Sequence, residues 1–116
     1  MRKIICFDLD NVICKTLNNN YKLSKPIKKT VKIINRLHKE GHQIDIFTAR
    51  GMGQFRGDYS KAVKTYKHLT MLQLKKWKVN YHNLILGKPA YDYYIDDKAY
   101  GFKKNWHLDF LNFINS

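Results

Sequence analysis

Asp8 and Asp10 stand one residue apart at the end of an apolar run, Ile4-Ile5-Cys6-Phe7-Asp8-Leu9-Asp10-Asn11-Val12. A second apolar run ends the same way, at Tyr93-Tyr94-Ile95-Asp96-Asp97. These carboxylates are close to half of the 9 Asp and Glu residues in the chain. Crowded carboxylates repel and raise one another's pKa. A hard divalent cation such as Mg2+ relieves that repulsion and prefers oxygen ligands. Thr48 and Lys88, lying between the two pairs in sequence, are donors suited to phosphoryl oxygens. A carboxylate beside such a metal can attack phosphorus and form an acyl phosphate. A second carboxylic acid two residues on can protonate the leaving oxygen and then activate water. Each feature alone has an ordinary reading: Asp8 as a cap, Asp96-Asp97 as a solvated turn, Lys88 as a surface lysine. Their convergence is what points to chemistry.

The elements that must hold these residues are legible in the hydrophobic pattern. Arg2 to Leu9 is continuous, apolar and β-rich, which predicts a buried strand with Cys6 in the core as a reduced thiol. Cys14 to Leu23, with Asn18-Asn19-Asn20, carries turn chemistry and predicts the tip of a small hairpin flap. Ser24 can cap a helix whose first turn holds Pro26. Ile27, Val31, Ile34 and Leu37 continue it at helical spacing, and Gly41 ends it. Gln43 to Phe47 reads as a second strand closed by Thr48-Ala49-Arg50, and Gly51 to Gly57 as a loop. Asp58 or Ser60 opens a helix to about Lys78 with a stripe of Val63, Tyr66, Leu69, Leu74 and Trp77. Asn83 to Leu86 reads as a third strand, followed by Gly87-Lys88-Pro89. Tyr91 to Ile95 reads as a fourth strand, and Trp106 to Ile114 as a final helix.

This β-α-β-α-β-β-α order predicts an α/β fold: one Rossmann-like three-layer domain over residues 1–116, with a mostly parallel sheet of about four strands and right-handed crossovers. Ligands of open α/β sheets bind beyond the carboxyl ends of the strands. Asp8 and Asp10, Thr48, Lys88, and Asp96 and Asp97 each follow a different strand, so all are delivered to one edge.

The motifs resemble the four of the haloacid dehalogenase superfamily of phosphohydrolases. Phe7-Asp8-Leu9-Asp10-Asn11-Val12 is similar to the first, Ile46-Phe47-Thr48 to the second, Lys88 to the third and Ile95-Asp96-Asp97 to the fourth, in the family's order and across nearly the whole chain. The resemblance implies that Asp8 is the nucleophile and Asp10 the general acid/base. It implies that Thr48, Ala49, Arg50 and Lys88 contact the substrate, Thr48 and Lys88 at its phosphoryl group. Mg2+ would be held by Asp8, the backbone carbonyl of Asp10, and Asp96, with Asp97 either a further ligand or a partner for Lys88 or for water on the metal. Asn11 stands where the family usually has Gly, and Asn tolerates the left-handed region best among other residues. Arg50 has two readings, a salt-bridge residue or a substrate contact. The intervals between motifs hold one helix each and leave no room for a cap domain. The Thr-Ala-Arg-Gly-Met-Gly and Tyr-Tyr-Ile-Asp-Asp-Lys-Ala runs are similar to small bacterial phosphatases of capsular polysaccharide synthesis.

The expected activity is therefore a Mg2+-dependent phosphomonoesterase acting on a small phosphorylated metabolite such as a sugar or polyol phosphate. The alternatives are a polynucleotide end-processing phosphatase and a non-catalytic phosphate-binding domain. The chain carries 22 Lys and Arg against 9 Asp and Glu, a net charge of +13. Such a field attracts anions, including nucleic acid, but the lysines are scattered rather than gathered in one arm, which disfavours a dedicated nucleic-acid role. Lysine-rich codon usage explains the excess equally well. No apolar run is long enough to span a bilayer, and none follows the start as a signal peptide would. Two cysteines form no disulfide framework, and none of the five histidines has a metal-binding spacing. A cytoplasmic protein, with an open site that a second copy could cover, is expected.

Overall fold

A computed structural model describes residues 1–115 of the 116. The chain forms β1 (Ile4–Asp8), β2 (Cys14–Lys15), β3 (Lys25–Pro26), α1 (Lys28–Lys39), β4 (Gln43–Thr48), α2 (Tyr59–Lys76), β5 (Asn83–Leu86) and α3 (His107–Ile114). β1, β4 and β5 make one parallel sheet in the order β1-β4-β5. β2 and β3 make a separate antiparallel hairpin, with a 3-10 turn at Tyr21–Leu23 near its tip. It is the flap that the asparagine-rich stretch predicted, and Asn18 and Asn19 adopt φ of 53° and 56° there.

Both crossovers step the same way across the sheet, so right-handed connections carry α1 and α2 to one face. Burial follows that asymmetry. Phe7, Ile44, Ile46, Thr48 and Leu86 share the covered face and are buried. Phe7, Ile44 and Ile46 join Ile33, Ile34 and Leu37 of α1, Leu74 of α2, and Phe110 and Ile114 of α3 in a single core. Phe7 meets the Trp106 ring at 6.5 Å and the Phe110 ring edge-on at 6.0 Å, so α3 lies on that face as well. The alternate residues Ile4, Cys6 and Ile85 face the other way and are exposed. Cys6 is thus a strand residue but not a core one, contrary to the sequence reading. A continuous apolar run does not show which of its two faces stays open.

Three local expectations change. The first helix begins after Ile27, with no side-chain cap, and Pro26 belongs to β3; the Ser24 hydroxyl bonds Thr16 instead, at 2.6 Å. α2 is capped by Asp58, whose side chain accepts from the Lys61 amide. Its buried residues are Ala62, Thr70, Gln73 and Leu74, while Val63, Tyr66, Leu69 and Trp77 are half-buried. Tyr91 to Ile95 forms no strand: the sheet has three members, and the outer edge of β1 is unpaired among the described residues.

Candidate active site

β1 ends at Asp8, and the chain turns at once. The Leu9 carbonyl accepts the Ile13 amide at 2.8 Å and the Cys14 amide at 3.2 Å. Asn11 takes φ 68°, the left-handed conformation expected of it. Its side-chain oxygen accepts the Thr16 amide at 3.3 Å, tying the turn to the hairpin. This tight turn sets Asp8 and Asp10 at the carboxyl edge of the sheet.

Lys88 reaches the same edge from β5. Its ammonium lies 3.6 Å from Asp8 Oδ1 and 4.9 Å from the centre of the Tyr94 ring. Gly87 makes this exit possible. It has φ +93°, and a Cβ there would stand 2.6 Å from the Tyr59 ring. Asp8 has its carboxyl pKa raised, because burial outweighs the Lys88 charge and the Leu9 amide that favour its anion.

Asp10 is gripped from within. Its Oδ1 accepts from Thr16 Oγ1 at 2.6 Å and from Arg50 Nη2 at 3.0 Å, and its Oδ2 accepts from Arg50 Nε at 3.1 Å. Arg50 is 1% exposed. Its Nη1 donates to Thr70 Oγ1 at 3.1 Å and to Gln73 Oε1 at 2.6 Å, and its guanidinium stacks over Tyr21 at 4.8 Å. Gln73 in turn donates to the Tyr21 carbonyl at 2.6 Å. One guanidinium therefore joins the site turn, the flap and α2. Of its two sequence readings, the salt-bridge one describes its position, and its role as a substrate contact is corrected: a side chain enclosed on every side does not meet a ligand.

Thr48 is fully buried, and its Oγ1 accepts the Arg50 amide at 3.1 Å. Its carbonyl accepts the Lys88 amide at 3.1 Å, which locks β4 to the β5 exit. Ala49 is half-buried and gives its carbonyl to the Met52 amide, starting the glycine loop.

Asp96 and Asp97 are exposed and stand apart from the other acids. Asp96 Oδ1 accepts the Lys98 amide at 2.8 Å, a local turn contact. Among the described residues no group of three His, Cys, Asp or Glu side chains could hold a metal ion. Two carboxylates, one of them committed to Arg50 and Thr16, fall short of the oxygen set that Mg2+ requires. A single copy in this conformation does not fit the Mg2+ site drawn from the sequence.

Thr16, Ser24, Tyr21, Thr70 and Gln73 were missed by sequence reasoning. The available signal was Thr70 and Gln73, two polar residues one helical turn apart beside the apolar stripe of α2. Inward polar residues need a partner, and Arg50 is the one they have.

No protein-family profile matches the chain, and no curated protein does. Solved structures do. A structural-genomics target from Vibrio cholerae matches with a TM-score of 0.74 at 24% identity, over 98% of this chain and 99% of that one. A chain of the Pnkp1/Rnl/Hen1 complex matches with a TM-score of 0.58 at 16% identity, over 84% of this chain and 31% of that one. A chain of the Pnkp1/Rnl/Hen1 RNA repair complex matches at 0.54 and 17%, over 80% of this chain and 28% of its own length. At these identities the likeness is one of fold. Among its described residues this chain has a three-stranded parallel sheet and three α-helices, and it shares its α/β fold with one chain of its own size and with part of two larger ones.

Proposed function

We propose that this protein is a capless phosphohydrolase of haloacid dehalogenase type, acting on small phosphomonoesters such as sugar or polyol phosphates. The observation that carries the reading is the meeting of Asp8 and Lys88, 3.6 Å apart, from the ends of two different strands. Lys88 neutralises a phosphoryl group brought to Asp8. An Asp8 oxygen attacks phosphorus, the ester P–O bond breaks, and Asp10 gives its proton to the leaving oxygen. Water then attacks the acyl phosphate, returns a proton to Asp10 and releases phosphate. Asp10 does not wander, because Thr16 and Arg50 hold both of its oxygens. Mg2+ supplies charge neutralisation when bound, but its full ligand set is not present in one copy.

A phosphatase panel of sugar, polyol and nucleotide phosphates with Mg2+ tests the reading. Release of phosphate from at least one is expected. Asp8→Asn should lower it by at least about 10³-fold and Asp10→Asn by about 10²- to 10⁴-fold. Full activity in Asp8→Asn would reject the nucleophile assignment.

One observation favours a second reading, a phosphatase acting on polynucleotide ends. No Asp or Glu occurs between Asp10 and Glu40 or between Asp58 and Asp92, so α1 and α2 carry cations only. Both helices share a face, which concentrates a field suited to a polyanion.

A further inference from the structure

We propose that two copies of this chain exchange an arm, residues 89–99. Tyr91–Ile95 of each pairs with the free edge of β1 in the other and carries Asp96 and Asp97 to the neighbour's Asp8 and Asp10. The need for further carboxylates at that site rests on the phosphohydrolase reading; the exchange itself rests on the fold.

Tyr91–Ile95 has the residue types of a strand, three tyrosines and an isoleucine, yet it joins no sheet among the described residues. Tyr93 is 88% exposed and Ile95 103%. The arm leaves the body at Lys88, beside Asp8, and rejoins it at Trp106, which is buried against Phe7. Between these anchors residues 89–99 are exposed, and Tyr100 already rests on α3, its ring 4.9 Å from that of Phe110. Meanwhile the outer edge of β1 offers an unpaired row of backbone donors and acceptors beside exposed Ile4 and Cys6, a template that proteins normally cover.

The arm cannot fill that edge in its own copy with its acids at the active edge. To do so it would run parallel to β1, beginning at the opposite end of the sheet. From Leu86 that start lies about three strand spacings across and one strand length back, about 20 Å in a straight line. Five residues of fully extended chain reach about 17 Å, and they would have to pass around the sheet rather than through it. Parallel neighbours ordinarily need a crossover of about a dozen residues. An antiparallel fit would put Asp96 at the wrong end. A second copy removes the limit, because its position is not tied to Leu86. Reciprocal exchange about a two-fold axis closes both edges at once and leaves no open end for further growth. It also resolves the misfit of the acids: each site would then hold Asp8 and Asp10 from one copy and Asp96 and Asp97 from the other.

Light scattering on the full chain, with Ile95→Asp beside it, gives the first test. The parent should weigh twice its 13.8 kDa. Ile95→Asp, altered outside the core, should keep the parent's helical circular dichroism and weigh 13.8 kDa. A monomeric parent at all concentrations, or an unchanged dimer in Ile95→Asp, would overturn the exchange whatever the activity. Mixing gives the second test. Asp8→Asn and the double variant Asp96→Asn/Asp97→Asn, each inactive, are unfolded together and refolded. Exchange predicts that half the dimers are mixed and that each mixed dimer has one intact site, so about a quarter of parental phosphatase activity returns. No recovery from an active parent would overturn the proposal. A parent with no phosphatase activity would instead reject the functional reading, leaving the mass measurement to decide the exchange.

Discussion

Asp8 pays a desolvation penalty that its neighbours do not cancel. Burial raises its carboxyl pKa more than Lys88 lowers it. The folded chain therefore binds that proton more tightly than the unfolded chain, whose carboxyl titrates near the usual value of about 3.9. Stability falls as pH rises from there through the folded-state pKa. Asp8→Asn should accordingly melt at a higher temperature than the parent near neutral pH, with the difference gone in strong acid; equal melting curves at neutral pH would contradict it. Arg50 makes the opposite case, a buried charge with every arm engaged. Arg50→Ala strands Asp10, Thr70 and Gln73 together and should cost about 3–5 kcal/mol in chemical denaturation. Arg50→Lys keeps the charge but not the fork and should fall between. A loss below about 1 kcal/mol for the alanine variant would show that the network is not structural.

The elements divide into those that local pattern decides and those that need a distant partner. α1, α2 and α3 were legible from apolar spacing, and β1, β4 and β5 from short β-rich runs that end in turn chemistry. Asp8, at the end of β1, and Lys88, just past β5, were legible for the same reason. Tyr91–Ile95 was not, because a strand exists only where an edge receives it, and five residues past Leu86 no edge of the same copy is within reach. The role of Arg50 was hidden because its contacts come from α2 and the flap, far away in sequence. α3 offers a separate handle. His107 bonds Thr30 of α1 at 2.8 Å, and burial, aided by Lys29, lowers its pKa. The unfolded chain thus binds the proton more readily, and stability is lost as pH falls from the ordinary value of about 6.5 through the lower folded-state pKa. His107→Gln should flatten that loss in thermal melts across this window; an unchanged slope would exclude the linkage.

At the scale of the whole molecule, the sheet separates two chemistries. One face is covered by helices whose charged side chains are cationic, with Glu40 just past the end of α1 and Asp109 in α3 as the local exceptions. The other is open and carries Asp45 with Cys6, Ile4 and Ile85. Oligonucleotides should therefore bind weakly through the helical face, with affinity falling steeply as salt rises. Lys64→Glu/Lys67→Glu, on exposed positions of α2, should weaken that binding and flatten the salt dependence. Absence of binding even at low salt would remove the polynucleotide reading and leave the small phosphomonoesters.

The two thiols make the open face readable by a reagent. Cys14 is buried, with its pKa pushed up to about 11, so it stays protonated and shielded. Cys6 is exposed on β1, beside the edge that an arm would cover, and partial desolvation by its neighbours, with the Asp45 charge, raises its pKa. A dilute native sample should take up one thiol label per chain and a denatured one two. If the arms exchange, the rate of that single labelling slows as protein concentration rises, so one cysteine becomes a clock for the lifetime of the free edge.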